Sequence, residues 1–386
     1  MFSLLLAIIY AAFISLGLPD SLLGSAWPVM VGEFAAPLSF AGIISMIVSA
    51  GTIVSSLLSD KLTRKLGAGL VTAISVCTTA AALFGFAASN SVLALCLVAV
   101  PYGLGAGAVD AALNNYVALH YASRHMSWLH CFWGVGATVG PYIMGLAISA
   151  GHGWRSGYGI IGLIQVVLTG IIFISLPLWK KRGADPDGED YEADIGIRGA
   201  VKLRGVKSVL LAFFGYCAFE STAGLWASSY LVEYRGVGAE EAAAFAALFY
   251  LGITVGRFVS GFIADRFGDR NMIRIGVAVI AAGIVMIALP VQTDVCAMVG
   301  LVVIGLGGAP VYPSIIHSTP TNFGKENSHA IVGIQMACAY CGSTFMPPVF
   351  GFIAERTSIS LYPLYLALFA LLLFVMTERV NKTCRT

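Results

Sequence analysis

Charged residues are scarce in this chain. Of its 386 residues only 11% are Asp, Glu, Lys or Arg, whereas 58% are hydrophobic, and the mean hydropathy is +0.86. So little polar surface cannot coat a water-soluble globule. The composition therefore excludes a soluble protein and predicts an integral membrane protein whose outer surface is covered by lipid.

Enzyme motifs are also missing. The sequence has no GxxxxGK[ST], HExxH or GxSxG pattern and no polar stretch long enough for a soluble catalytic domain. Almost all of the eight cysteines fall in apolar stretches, where a thiol packs as a small apolar group. Cys338 and Cys341 form a CxxC with no second pair nearby, which is typical of packing and not of a metal site. We expect no enzymatic activity, no cofactor and no metal.

The chain has long apolar runs instead. A helix needs about 20 mostly apolar residues to cross the hydrocarbon core, and the alternating pattern of a β-barrel strand is absent. The predicted fold is an all-α membrane protein with twelve transmembrane helices, at 3–31, 38–59, 67–88, 91–119, 127–150, 156–179, 206–233, 241–264, 272–291, 295–321, 328–354 and 359–378.

Basic residues mark one side of the membrane. The 22 Lys and Arg residues fall in the loops or at the span ends on the side of the two termini, except Arg155, Arg235 and Arg356 on the opposite side and Arg257 inside span eight. Lys and Arg are retained in the cytoplasm. We therefore predict a multi-pass protein of the inner or plasma membrane with both termini cytoplasmic. Basic residues scattered in short loops without interleaved aromatics do not indicate nucleic-acid binding.

The chain divides into two similar halves. Residues 180–203 are polar and are interpreted as a cytoplasmic linker between six-helix bundles at 1–179 and 204–386. The loop SLLSDKLTRK (56–65) is similar to GFIADRFGDR (261–270), and aligning Asp60 with Asp265 sets the halves in register. Repeats of this kind are typical of transporters that work by alternating access.

GFIADRFGDR resembles the loop signature of the major facilitator superfamily, G-x-x-x-D-[RK]-x-G-x-[RK]. The first copy departs from it, with Ser56 and Thr63 where the family has Gly. The resemblance implies two pseudo-symmetric bundles. A Gly would let helices approach, and the Asp would cap a neighbouring helix and pair with a loop cation that holds a gate. The predicted gating or structural residues are Asp60, Arg64, Gly261, Asp265, Arg266, Gly268 and Arg270.

Four charged residues lie inside spans and away from their ends, where a charge costs roughly 2.5–3.5 kcal/mol at the bilayer centre. We interpret Asp20, Asp110 and Glu220 as proton-coupling candidates, and Asn114 lies one turn from Asp110. The alternative for each is an ion pair or hydrogen bond that only holds the bundle. For Glu220 the two interpretations are equally supported, and for Arg257 the structural counter-ion is favoured.

A further resemblance narrows the family. The segments GLPDSLLGSAWP (17–28), DAALNNY (110–116), SWLHCFWGVGATVGP (127–141) and YCAFESTAGLW (216–226) together resemble the fucose/glucose permease group of proton-coupled sugar symporters. The resemblance implies proton and sugar handling by Asp20 and Asp110. Two departures, Asp110 where fucose-type members have Glu and His130 where they have a glutamine-containing span, argue against fucose itself.

Sugar sites combine aromatic faces with amide and hydroxyl groups. For any one aromatic residue, packing in the core or in the interfacial belt is favoured over substrate contact. His130 is as compatible with helix packing as with sugar contact or proton relay. The candidate substrate-binding residues are Trp27, Asn114, Asn115, His130, Trp133, Glu220, Trp226, Tyr250, Tyr312 and Gln335.

The sequence therefore predicts a monomeric secondary transporter that couples protons to a small-molecule substrate, a hexose, bound in a cavity between the bundles. Three alternatives remain open. GVGATVGP (134–141) also resembles the span-five signature of drug antiporters, which predicts efflux. The same carboxylates would suit a sodium-coupled carrier, and a non-transporting receptor would bind ligand without flux.

Overall fold

The computed structural model describes residues 4–20, 22–36, 40–183, 195–237, 239–290 and 294–384, and within these ranges it contains helices and no strand. The helices are α1 (Leu4–Gly17), α2 (Leu22–Phe34), α3 (Phe40–Leu66), α4 (Ala68–Ala88), α5 (Val92–His120), α6 (Ser123–Ser149), α7 (Gly153–Gly183), α8 (Gly196–Lys202), α9 (Val206–Glu233), α10 (Ala239–Phe267), α11 (Asp269–Ala288), α12 (Val295–Gly308), α13 (Val311–His317), α14 (Thr319–Phe323), α15 (Lys325–Arg356) and α16 (Tyr362–Thr383), with a 3₁₀ turn at Ile359–Leu361. Twelve spans in the described residues are long and apolar enough to cross a membrane, which confirms the prediction.

Two of the spans are interrupted. Span one breaks between α1 and α2, around Pro19 and Asp20. Span ten breaks at Pro310, between α12 and α13, and again at Ser318, between α13 and α14. Proline favours such breaks because it lacks a backbone N–H and crowds the preceding turn. Asp20 therefore lies at a helix break, and His317 lies at a helix end.

The chain forms two compact units. The first comprises Met1–Tyr116 and Leu129–Asp194, and the second comprises Val117–Trp128 and Ile195–Thr386. Segment 117–128, which contains the end of α5 and the start of α6, thus groups with helices from the second half of the sequence. Of the predicted linker, residues 184–194 lie outside the described residues. Its flanks are partly helical, because α7 continues to Gly183 and α8 falls within the predicted range.

Two connecting glycines correct the predicted register of the halves. Gly67 (φ 78°, ψ 152°) directly precedes α4, and Gly268 (φ 73°, ψ 156°) directly precedes α11. Positive φ is strained for residues with a Cβ, so glycine suits both turns. Because these turns are equivalent, Gly67 aligns with Gly268 in the repeat. Arg64, three residues earlier, then aligns with Asp265. The alignment of Asp60 with Asp265 is therefore wrong.

Helix packing supports the corrected register. Gly51 of α3 faces the α5 backbone at Leu104, and Gly252 of α10 faces the α12 backbone at Leu306. Gly51 and Gly252 are separated by the same number of residues as Gly67 and Gly268. Two independent features, a turn and a helix contact, thus give one register for the repeat.

The helices α1 and α6 pack backbone against backbone. A Cβ at Gly136 would overlap the carbonyl oxygen of Ile14, and a Cβ at Gly140 would overlap that of Leu18. From the other side, Gly17 faces the carbonyl oxygen of Trp133. Small residues allow this close approach inside a membrane. As a result, the break after α1 is held directly against α6.

Candidate functional site

The side chains of Asp20 and Trp133 meet where α1 ends against α6. Trp133 Nε1 donates a hydrogen bond of 2.8 Å to Asp20 Oδ2. Asp20 is accessible, whereas Trp133 is half-buried. The close glycine packing of α1 and α6 places the indole beside the carboxylate. The arrangement is an accessible carboxylate oriented by a neutral donor.

Asp110, Asn114 and His130 form a buried chain of hydrogen bonds. Asn114 Nδ2 donates to Asp110 Oδ1 at 2.8 Å and to the Asp110 carbonyl oxygen at 3.0 Å. His130 Nε2 lies 3.0 Å from Asn114 Oδ1, so this nitrogen carries the hydrogen. The three residues are 0–5% exposed. Each donor in the chain is directed towards Asp110, which suits a carboxylate acceptor.

Asp20 and Asp110 are close enough to interact electrostatically. Tyr102, which is buried on α5, lies near Asp20 as well. Sequence reasoning missed this tyrosine. The signal was present, because Tyr102 and Asp110 are separated by about two helical turns and so lie on one face of α5. Asp20, Asp110 and their polar neighbours therefore form one group, made by α1, α5 and α6.

Glu220 and Arg257 form an ion pair in the second unit. Arg257 Nη2 donates to Glu220 Oε1 at 3.0 Å, and the two side chains are 4% and 20% exposed, respectively. The Arg257 guanidinium also lies 6.0 Å from the centre of the Tyr312 ring. Tyr312 donates its hydroxyl hydrogen to Met336 Sδ at 3.3 Å. This geometry makes Glu220 the counter-ion of Arg257.

The remaining candidate substrate residues are not brought into these groups. Trp27 is 3% exposed and packs in an apolar cluster with residues of α2 and α6. Trp226 Nε1 donates to the Pro347 carbonyl oxygen at 2.9 Å, and Gln335 is enclosed, accepting from Thr319 at 3.0 Å. Tyr250 is 52% exposed.

Asn115 is another buried candidate, on α5 beside Asn114. Sequence reasoning also missed Gln165, which is buried on α7. Its Nε2 donates to the Ser15 carbonyl oxygen at 2.9 Å, and its Oε1 accepts from Thr79 at 2.8 Å. Gln165 thereby ties α1 and α4 to α7. These hydrogen bonds hold α1, the helix before Asp20, in place, but neither of them involves Asp20 itself.

The loop signature in the second unit makes the contacts that the motif predicts. Asp265 accepts a hydrogen bond of 3.0 Å from the backbone N–H of Arg124, at the start of α6, and pairs with the Arg124 guanidinium. Gly261 lies under Trp128, whose indole a Cβ would overlap. Gly268 has open space around it, so its role is the positive φ of the turn. The helix cap and the close approach are both present.

Three other signature residues, Asp60, Arg64 and Arg270, make side-chain hydrogen bonds. Asp60 accepts from Arg64 Nε at 2.8 Å within α3, as expected for residues one turn apart. Arg270 Nε donates to Asn381 Oδ1 at 2.9 Å, whereas Arg266 is exposed in the last turn of α10. In the first copy the Asp60–Arg64 pair is thus formed within one helix.

Arg155, one of the three basic residues predicted to lie on the side of the membrane opposite the termini, has a partner as well. Its Nη1 lies 2.5 Å from Glu33 Oε1, while Trp154 Nε1 donates to Glu33 Oε2 at 2.7 Å. The hydrogen bond from Trp154, together with Arg155, lowers the pKa of the Glu33 carboxyl below its usual value. These contacts tie the end of α2 to the start of α7.

Known proteins share this architecture. The family model described as Major Facilitator Superfamily matches residues 9–208 and 208–380. The uncharacterized transporter y4wD of Sinorhizobium fredii is 27% identical over 384 residues, covering 95% of this chain and 95% of the relative. The cis,cis-muconate transport protein of Acinetobacter baylyi is 24% identical over 351 residues, covering 85% of this chain and 82% of the relative.

Among solved structures, the fucose:proton symporter FucP of E. coli aligns with a TM-score of 0.79 and 18% sequence identity, over 97% of each chain. An identity this low shows a shared fold and does not assign the cargo. The family model, in contrast, matches nearly the whole chain in two consecutive halves, and the twelve spans agree with it. The chain therefore belongs to the major facilitator superfamily and is a multi-pass membrane transporter.

Proposed function

We propose that this transporter couples proton movement to the symport of a neutral monosaccharide. The observation that carries the proposal is the buried chain from His130 through Asn114 to Asp110, with the accessible Asp20 close by. Two negative charges at short range in a membrane interior repel each other, and one proton relieves that repulsion. In this proposal Asp20 exchanges a proton with water, and the electrostatic repulsion on the Asp110 carboxylate changes when it does.

The polar groups around the carboxylates suit a sugar. An indole, an amide and an imidazole offer one apolar face and several donors and acceptors, which is what a hydroxyl-rich ring requires. We assign Trp133, Asn114 and His130 to sugar contact, with Asn115 as a buried neighbour. The named substrate of the solved symporter FucP supports the class, although the departures at Asp110 and His130 argue against fucose itself.

Glu220 has a different role in this proposal. Its ion pair with Arg257 supports the structural interpretation of both residues. Proton coupling is therefore assigned to Asp20 and Asp110 alone. We further propose a monomer in the inner or plasma membrane with both termini in the cytoplasm, where Asp265 and Arg124 contribute to a gate.

The test is transport by the purified protein in liposomes. A thermal-shift screen of hexoses and pentoses first selects a sugar, because a bound ligand stabilises the fold. With an imposed pH gradient, the wild type should accumulate the selected sugar against its gradient. Asp110→Asn cannot be ionised, so it should exchange sugar across the membrane without accumulating it.

Asp294→Asn is the matched control, since Asp294 precedes α12 and has no side-chain cap hydrogen bond. It should accumulate sugar like the wild type. Undiminished proton-driven accumulation by Asp110→Asn would refute the role of that residue. Accumulation driven by a sodium gradient alone, or export of lipophilic compounds without sugar uptake, would refute proton–sugar symport.

A further inference from the structure

His317, at the end of α13, connects two loops of the second unit. Its Nδ1 lies 2.6 Å from Asp269 Oδ2, at the start of α11, and its Nε2 lies 3.0 Å from the carbonyl oxygen of Tyr121. Ser123 donates its hydroxyl hydrogen to the other oxygen of Asp269. One imidazole therefore ties segment 117–128 and the start of α11 to α13.

The partners of the ring determine how many protons the cluster holds. A carbonyl oxygen can only accept, so Nε2 must carry a hydrogen. Between Nδ1 and the Asp269 carboxylate there must be a second hydrogen, on either the nitrogen or the oxygen. In both cases the Asp269–His317 pair holds one proton more than an ionised aspartate beside a neutral histidine.

We propose that the Asp269–His317 pair is a second proton-binding site of this transporter, whose proton holds segment 117–128 on the second unit. When the proton leaves, a nitrogen lone pair faces an oxygen, and one of the two contacts of the ring is lost. This site shares no residue with the carboxylates assigned to coupling. It stands whether or not the cargo is a sugar.

The charges that act on the ring come from the connection between α10 and α11. Asp269 contacts it directly, and Asp265, which pairs with Arg124, acts at longer range. The elements that pack against α13 are α9, α11, α12 and α14. Besides Asp269, their ionisable residues are Lys207, Tyr216, Cys217, Glu220, Tyr230 and Glu233 on α9, Arg270 and Arg274 on α11, and Cys296 on α12, while α14 has none and α13 itself adds Tyr312. The ring also contacts the connection between α5 and α6, whose ionisable residues are His120, Tyr121, Arg124 and His125.

The sign of the pH dependence follows from the proton count. The docked segment is favoured when the pair holds its proton and loses that stabilisation as pH rises through the titration. For one proton, the equilibrium between docked and released segment changes by at most about tenfold per pH unit. Acidic conditions should therefore protect segment 117–128.

Hydrogen exchange of peptides covering residues 117–128, measured by mass spectrometry in detergent without cargo, tests the proposal. After correction for the intrinsic pH dependence of exchange, the wild type should lose protection between mildly acidic and mildly alkaline pH. His317→Gln offers donors from one nitrogen only and does not titrate. It should show low protection at every pH.

Asp269→Asn distinguishes the effect of the shared proton from that of the hydrogen bond at His317 Nδ1. An asparagine amide can donate to Nδ1 of a neutral ring, so this variant should keep high protection at alkaline pH, without the loss that the wild type shows as pH rises. His152→Gln removes an exposed imidazole elsewhere and should match the wild type. The proposal is overturned if wild-type protection does not change with pH, or if any variant other than His152→Gln retains the wild-type dependence. Loss of that dependence in His152→Gln would overturn it as well.

Discussion

At the scale of single residues, Glu220 and Arg257 show what a buried charge requires. Each lies in an apolar span, and each is the other's counter-ion at 3.0 Å. Removing one partner would leave a charge in a low-dielectric setting without compensation, which is far more costly than removing both. The pair therefore constrains α9 and α10 together.

Glu220→Gln and Arg257→Gln should each lower the free energy of unfolding by about 3 kcal/mol, because a buried charge loses its partner. The double variant should recover much of that loss. Thermal unfolding in detergent, analysed as a double-mutant cycle, measures the coupling.

The matched control is the pair Arg274 and Glu378, whose side chains are 42% and 24% exposed. Its single substitutions should cost no more than about 1 kcal/mol, as for exposed pairs. Equal losses at both pairs, or a double variant as unstable as the sum of the single ones, would contradict the structural role of Glu220.

Sequence reasoning found these residues and missed their pairing. Charge inside an apolar run is visible in one dimension, so Asp20, Asp110, Glu220 and Arg257 stood out. Contacts between helices are not visible in this way, and neither the Arg257 ion pair nor the His130 hydrogen bond follows from spacing. His317 was missed because it lies at a span end, where a polar residue needs no explanation.

At the scale of helices, glycine sets which elements can touch. The backbones of α1 and α6 meet at Gly136 and Gly140, and this contact brings Trp133 to Asp20. The sequence indicated close packing by the small residues of 134–141 but not the partner helix. The predicted alignment of the two halves was wrong for a related reason, because the backbone and not the side chains determines it. It was set by matching the side chains of Asp60 and Asp265, whereas the backbone turn at Gly67 decides it.

Gly140→Ala should destabilise the protein by about 1–3 kcal/mol, because its methyl group would overlap the Leu18 carbonyl oxygen and force the helices apart. It should also weaken proton-driven transport by displacing Trp133 from Asp20. The thermal midpoint and the uptake rate are the two measurements.

Gly145→Ala, on the same helix, has open space around it and is the control. This change should be neutral or slightly stabilising, since alanine favours a helix by up to about 1 kcal/mol over glycine. A midpoint for Gly140→Ala equal to that of Gly145→Ala would show that α1 and α6 do not pack as described.

At the scale of the whole molecule, the hydrophobic composition was sufficient to predict the architecture. Twelve apolar runs predicted twelve spans because lipid forces each crossing to be a helix. The interruptions in spans one and ten were harder to predict from the sequence, since a local backbone break does not change the average hydropathy. The membrane orientation proposed from the basic loops is a property of the entire chain.

Reporter fusions test that orientation. Alkaline phosphatase, which is active only outside the cytoplasm, should be active when inserted at Gly151 and inactive when inserted at Gly67 or Gly268. The reason is that basic residues surround the last two sites and are retained in the cytoplasm. A fluorescent protein fused after Thr386 should fluoresce. Phosphatase activity at Gly67 would reverse the assignment.

The Glu220–Arg257 pair also determines where voltage acts. A membrane potential does work on net charge, about 2.3 kcal/mol per elementary charge per 100 mV. The pair sums to zero, so its movement through the electric field carries no current. Asp20 and Asp110 have neutral hydrogen-bond donors in Trp133 and Asn114. The proposed symporter should thus sense voltage through its first unit. The return of the unloaded carrier, with both carboxylates ionised, should depend more strongly on voltage than the loaded step, in which one of them holds a proton.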